Sequence, residues 1–313
     1  MPSTAPSLRI VFAGTPPVAV PALEALAASR HDIAGVVTRA DAPLGRKRTL
    51  TPSPVATRAA ELGLHTVKAN RLRDEETAAV AALAPDLGVI VAYGGLLRPP
   101  MLAVPRLGWI NLHFSLLPRW RGAAPVQRAV MAGDAETGSA VFQLVAELDA
   151  GDVFSLERRP IGPDETAGEV LEALAASGAR QLASVVDAIA DGTAVATPQT
   201  GEPTLAPKLT LDDARLPLDE PGDRVYARLR GVTPEPGAFV LLGEERFKIR
   251  AARLARGAER LAPGAFAARA GRVYLGTATH PLELLTVQPA GKKTMAAADW
   301  WRGLQSPEGV NAR

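Results

Sequence analysis

The chain has 313 residues and no cysteine. That excludes a disulfide framework and a thiol nucleophile, and it suits the cytoplasm. No serine stands in a G-x-S-x-G elbow, so the usual sign of a hydroxyl nucleophile is missing as well. There is no H-E-x-x-H, nor any other close set of histidines and carboxylates with metal-ligand spacing, and no catalytic metal is expected. The first apolar run ends in Gly14-Thr15-Pro16, which falls short of the G-x-G-x-x-G of a dinucleotide site. Nowhere do 18 apolar residues follow one another, and Met1-Pro2-Ser3-Thr4-Ala5-Pro6 has neither a basic start nor a long apolar core. Neither a membrane span nor a secretory signal is expected.

Histidine and asparagine are also scarce: four His, and Asn only at 70, 111 and 311. Yet one of each falls in the apolar run Ile110-Asn111-Leu112-His113. In a strand, residues i and i+2 face the same way, so Asn111 and His113 would share one small space while Ile110 and Leu112 pack behind. Two satisfied polar core residues would give the same pattern. A second feature favours a site. The strand-like run from Ser139 to Val145 leads into the acidic turn Glu147-Leu148-Asp149-Ala150-Gly151-Asp152, which can bring a carboxylate to an imidazole. Such a carboxylate would orient the ring and raise its pKa toward neutrality, as proton transfer requires. With no covalent nucleophile in view, Asn111, His113 and Asp149 point to direct transfer of a group between two bound substrates.

The surrounding pattern is α/β. Apolar runs at 8–14, 33–38 and 86–92 alternate with helical patterns at 18–28 and 75–83, which predicts a Rossmann-like parallel sheet covered on both faces. A long Ala-rich helical pattern spans 166–189, and the Pro- and Thr-rich stretch 194–208 reads as a linker. Beyond it, short apolar runs at 237–242, 246–250, 272–275 and 282–287 are divided by Gly and Pro, which predicts a small β-barrel. The expected domains are therefore 1–193 and 209–313, and the length permits two. No coiled-coil heptads or other assembly element is present, so a monomer is expected.

Charge separates the two parts. Residues 1–205 hold 18 Lys or Arg against 21 Asp or Glu, and residues 206–313 hold 17 against 12. A basic barrel suits a polyanion, although Arg outnumbers Lys 29 to 6, and an Arg-rich composition scatters such charges over any surface. Arg39 and Arg46-Lys47-Arg48 lie in a Gly- and Pro-containing loop of over a dozen residues, predicted to have no structure of its own, before a helix near Pro54.

The stretch NLHFSLLPRWRGAAPVQRA resembles a signature of the folate-dependent formyltransferases, and LDAGD resembles their second signature. The likeness runs almost end to end with the branch that formylates aminoacyl-tRNA, through RIVFAGTP, GRKRTLTPSPV, RGAAPVQRAVMAGDAETG and LLTVQPAGKKTM, and less closely through VVAYGGLL. It implies a catalytic domain followed by an OB-like tRNA-binding barrel. It also implies transfer of a formyl group from 10-formyltetrahydrofolate to the amino group of methionyl-initiator tRNA. Asn111, His113 and Asp149 would be catalytic, and Ser115, Leu116, Leu117 and Pro118 would hold the folate. Arg39, Arg46, Lys47 and Arg48 would meet the acceptor stem, with Arg46 the leading contact, and Lys292 and Lys293 would be a weaker phosphate contact. Phe114 departs from the Gly of many relatives and would put a bulky ring beside His113. Sibling enzymes acting on a sugar nucleotide or a purine precursor, or hydrolysing the folate, would share the trio. An RNA-binding protein without catalysis would have no need of it.

Overall fold

The computed structural model describes residues 6–45, 47–306 and 309–313. They form two compact units. The first comprises the chain up to Ala123 with 137–159 and 171–206, and the second comprises 124–136, 160–170 and 207–313.

The first unit is built on strands β1 (Arg9–Gly14), β2 (Asp32–Thr38), β3 (Ala42–Leu44), β4 (Thr49–Thr51), β5 (Thr66–Lys68), β6 (Leu87–Val91), β7 (Trp109–His113), β8 (Glu136–Gln143) and β9 (Val153–Pro160). Its helices are α1 (Val20–Ala27), α2 (Pro54–Glu61), α3 (Asp74–Ala82) and α4 (Pro99–Leu102); α5 (Pro125–Ala132) belongs to the second unit, and α6 (Ala167–Ala190) runs through both. Seven strands line up as β5-β2-β1-β6-β7-β8-β9. The first five are parallel and β8 is antiparallel to β7. β6 is buried along its whole length and β1 at all but its first residue, which is why these strands read as unbroken apolar runs. Helix starts are written locally. At α2, the Ser53 hydroxyl accepts from the Ala56 N–H at 3.0 Å and Pro54 occupies the first turn.

The chain winds from β1 outward to β2 and β5, then crosses to β6 and β7 on the other side. The order reverses between β1 and β6, and sheets of this kind bind ligands outside the carboxyl ends of the strands near such a point. β7 ends there in Asn111 and His113. Its start is anchored by Trp109, which is buried and donates its indole N–H to the Met101 carbonyl at 2.8 Å. Truncation of a buried Trp costs about 3 to 5 kcal/mol.

The second unit holds α5, α7 (Gly222–Gly231), strands β10 (Phe239–Leu242), β11 (Glu245–Leu254), β12 (Phe266–Arg269), β13 (Arg272–Leu275), β14 (Leu282–Gln288) and β15 (Met295–Ala296), and α8 (Ala297–Arg302). The antiparallel order is β10-β11-β14-β13-β12, with β15 on β14. Two register shifts between β11 and β14 bend this sheet into its barrel-like curl. Phe247 and Ile249 of β11 face a core closed by Trp300, whose ring centroid is 4.4 Å from that of Phe247 and 5.2 Å from that of Phe266. This is the parallel α/β sheet that the alternating runs predict, followed by the small β unit that the Gly- and Pro-divided runs predict.

The stretch expected to be a linker behaves differently. As far as Ala206 it belongs to the first unit, where Thr197 pairs with Val153 and Leu205 with Arg121. Its prolines and threonines look like tether, but its backbone is hydrogen-bonded to β9 and to the loop after β7. No described helix is long and apolar enough to cross a membrane.

Candidate active site

Asn111 and His113 project from one face of β7, Asn111 opposite Phe142 and His113 opposite Ala140 in the antiparallel register with β8. Asn111 is half-buried, and its side-chain amide makes no hydrogen bond to another described residue. His113 is buried. Its Nε2 lies 3.0 Å from the Trp120 carbonyl oxygen. A carbonyl only accepts, so the network places the proton on Nε2 and leaves Nδ1 to exchange one. Nδ1 lies 3.8 Å from Asp149 Oδ2.

Burial holds the His113 pKa below its ordinary value, against the opposing pull of the Asp149 charge and the Trp120 carbonyl. The sequence pattern alone predicts a raised value. Desolvation of the cation outweighs a carboxylate that stands beyond hydrogen-bond distance. The balance favours the neutral ring.

Asp149 is held firmly. Oδ2 accepts the Gly122 N–H at 2.7 Å, and the residue adopts a left-handed backbone with φ 47°. Gly122 itself has φ 125°, and a Cβ there would lie 2.8 Å from the Ala206 carbonyl oxygen. Only glycine presents its N–H to the carboxylate at this point. The carbonyls of Asp149 and Gly151 both accept from the Gln199 side-chain amide, at 2.7 and 2.9 Å.

The turn after β7 is largely occupied with itself. The Ser115 hydroxyl donates to the Arg119 carbonyl at 2.6 Å, Leu117 packs with Ala140 and Phe142, and Pro118 is buried with its carbonyl accepting from the Thr204 N–H at 3.2 Å. Leu116 is half-buried. Phe114 is buried, and the ring that meets His113 edge-on, at 6.4 Å between centroids, is Phe142. Among the described residues no group of three or more His, Cys, Asp or Glu is placed to hold a metal ion.

Arg39 donates to the Gly94 carbonyl at 2.9 Å. Arg46 lies outside the described residues, while Lys47 and Arg48 are exposed. The loop expected to lack structure is in fact a short hairpin, paired from Ala42 with Thr51 to Leu44 with Thr49. Positive φ at Gly45 and Arg48 closes its turn, and Thr49-Leu50-Thr51 has the side chains a strand favours. Lys292 and Lys293 are exposed in the turn between β14 and β15.

Residues 8–186 match the family model described as formyl transferase, and residues 208–305 match that of its C-terminal domain. The chain belongs to the formyl transferase family. Among relatives, the methionyl-tRNA formyltransferase of Leifsonia xyli subsp. xyli is 67% identical over 296 residues, covering 95% of this chain and 97% of that protein. The methionyl-tRNA formyltransferase of Clavibacter sepedonicus is 62% identical over 301 residues, covering 96% and 99%. Among solved structures, an N-formyltransferase from Helicobacter canadensis in complex with folinic acid and dTDP-3-aminofucose superposes with a TM-score of 0.68 at 14% identity, over 90% of this chain and 99% of that one. At that identity the likeness is one of fold.

Sequence reasoning missed Gly122, Arg121 and Gln199. Gly122 left a trace as a glycine between two bulky cationic or aromatic residues and a run of alanines. Gln199 left none, because it lies 50 residues beyond the loop it touches.

Proposed function

We propose that the chain transfers a formyl group from 10-formyltetrahydrofolate to the free amino group of methionyl-initiator tRNA, giving N-formylmethionyl-tRNA by direct attack without a covalent enzyme intermediate. The observation that carries this reading is the gathering of Asn111, His113 and Asp149 at the carboxyl edge of the sheet, in a chain nearly colinear with formyltransferases of methionyl-tRNA.

When bound, the donor supplies an activated formyl carbon. The Asn111 amide, unspent inside the protein and half-buried beside apolar residues, donates an N–H to the formyl oxygen as negative charge grows there. Neutral His113 accepts through Nδ1 the proton that the attacking amine must lose. Asp149 stabilises the imidazolium so formed, and His113 then returns the proton to the departing nitrogen. One proton leaves the amine and one reaches the leaving group, so the ring ends as it began. The turn Ser115, Leu116, Leu117 and Pro118 holds the flat ring of the donor through its backbone and Leu116.

On the acceptor side, Arg39, Arg46, Lys47 and Arg48 meet the acceptor stem, and Lys292 and Lys293 meet a phosphate. Residues 1–193, with the stretch as far as Ala206 hydrogen-bonded to them, act as the catalytic domain and 209–313 as the tRNA-binding domain. The chain works as a monomer in the cytoplasm, where initiator tRNA is used. Light scattering of the purified chain measures the first of these two points.

The deciding experiment offers radiolabelled donor with methionyl-initiator tRNA, free methionine and water as competing acceptors. Label in the aminoacyl-tRNA alone is the expected result. Free labelled formate instead would make the chain a hydrolase, and no transfer would remove the reading.

A further inference from the structure

We infer that Gln199 is a positioning residue for formyl transfer: from a segment outside both stretches matched by the family models, it fixes the loop that carries Asp149. The inference rests on the proposed role of Asp149.

Arg121 sets the orientation of Gln199. Its Nε and one terminal nitrogen donate to Gln199 Oε1 at 3.2 and 2.8 Å. With the oxygen so engaged, the amide nitrogen must face the other way. There its two N–H groups find two carbonyls, Asp149 at 2.7 Å and Gly151 at 2.9 Å. One side chain thus grips the loop on both sides of Ala150.

The loop needs such a grip. Asp149 has a left-handed backbone, which a residue with a Cβ keeps only where its surroundings over-determine it. From the other side β8 presses on the same loop: a Cβ on Gly151 would come within 1.8 Å of the Gln143 carbonyl oxygen, and the Gln143 N–H donates to the Asp152 carbonyl at 2.9 Å. Between β8 and Gln199 the backbone of residues 149–152 has one course to follow. That course puts Asp149 Oδ2 on the Gly122 N–H and 3.8 Å from His113 Nδ1. Gln199 bonds to none of the three proposed catalytic side chains. It acts only through the loop backbone, so its loss should be felt in the chemical step and not in the binding of either substrate.

The experiment is a double-mutant cycle on the full chain with Q199A and D149N, reading kcat and both KM values together with thermal melting. Q199A should lower kcat by about 10- to 100-fold, the range that a small misplacement of a catalytic group commands, with both KM values unchanged. In the D149N background the same substitution should add less than about twofold, because the loop then has no carboxylate to place. Q199E keeps the acceptor for Arg121 but has no N–H for the two carbonyls, and it should match Q199A. Should Q199A not fold, Q199E carries the same cycle. Equal effects of the Gln199 change in both backgrounds, an unchanged kcat, or a change confined to KM would each overturn the inference. Full activity in D149N would instead remove the role of Asp149 itself.

Discussion

His113 Nδ1 stands 3.8 Å from Asp149 Oδ2, and that oxygen is already hydrogen-bonded to the Gly122 N–H at 2.7 Å. The carboxylate therefore acts on the imidazole as a nearby fixed charge, not as a direct proton acceptor. The ring is oriented from its other side by the Trp120 carbonyl. Two separate contacts thus do what one carboxylate does in a directly bonded pair.

A pH dependence follows with a definite sign. Burial lowers the His113 pKa and the Asp149 charge raises it, with burial prevailing. The proposed mechanism needs the neutral ring, so the acid limb of kcat/KM should fall below the 6.5 of an unperturbed imidazole. Removing the charge in D149N removes an influence that raises the pKa. The limb should move further down while the plateau drops, and a profile between about pH 5 and 8 reads both. Movement of the limb to higher pH in D149N would contradict the geometry.

Asn111 offers a sharper test of where charge develops. Its amide has no partner among the described residues, so N111A leaves no orphaned group behind. The loss should appear in kcat, by roughly 100- to 1000-fold, with the KM for the donor nearly unchanged. N111D sets a negative charge against the growing one and should be at least as poor as N111A. Comparable losses in kcat and in donor affinity would make Asn111 a binding residue.

Gly122 joins fold to chemistry. In G122A the new Cβ meets the Ala206 carbonyl oxygen at 2.8 Å, on a backbone with φ 125°. Strain of this kind costs about 1 to 3 kcal/mol. Turning the Gly122 backbone to relieve it moves the N–H that holds Asp149. A lower melting temperature and a lower kcat should therefore come together, and a wild-type melting curve would remove the strain argument.

What the sequence disclosed and what it withheld divide along physical lines. The i, i+2 spacing of Asn111 and His113 and the apolar run of β6 are local patterns, and the structure places both as read. The Glu147–Asp152 turn announced a carboxylate because its acids and glycine are adjacent. The direction of the His113 shift was not legible, since it depends on how much of the fold covers the ring. Nor was Gln199, whose partners are 48, 50 and 78 residues away. The hairpin of β3 and β4 escaped because three-residue strands are too short to show a period.

The exposed tip of that hairpin carries the last prediction. Lys47 and Arg48 sit in its turn, with Leu44 and Leu50 exposed on its strands at 66% and 69%. The cations are solvated and are not engaged in an ion pair with another described residue, so substituting them costs the fold little. Replacing Arg46, Lys47 and Arg48 together by Ala should raise the KM for methionyl-tRNA and leave that for the donor unchanged. For each phosphate that the variant no longer neutralises, the slope of log KM against log salt should also flatten by about 0.7 to 0.9. K292A with K293A should do the same to a smaller degree. A triple variant whose tRNA KM rises while the salt slope stays fixed would mean that the hairpin works by shape, through its exposed leucines, and not by its charge.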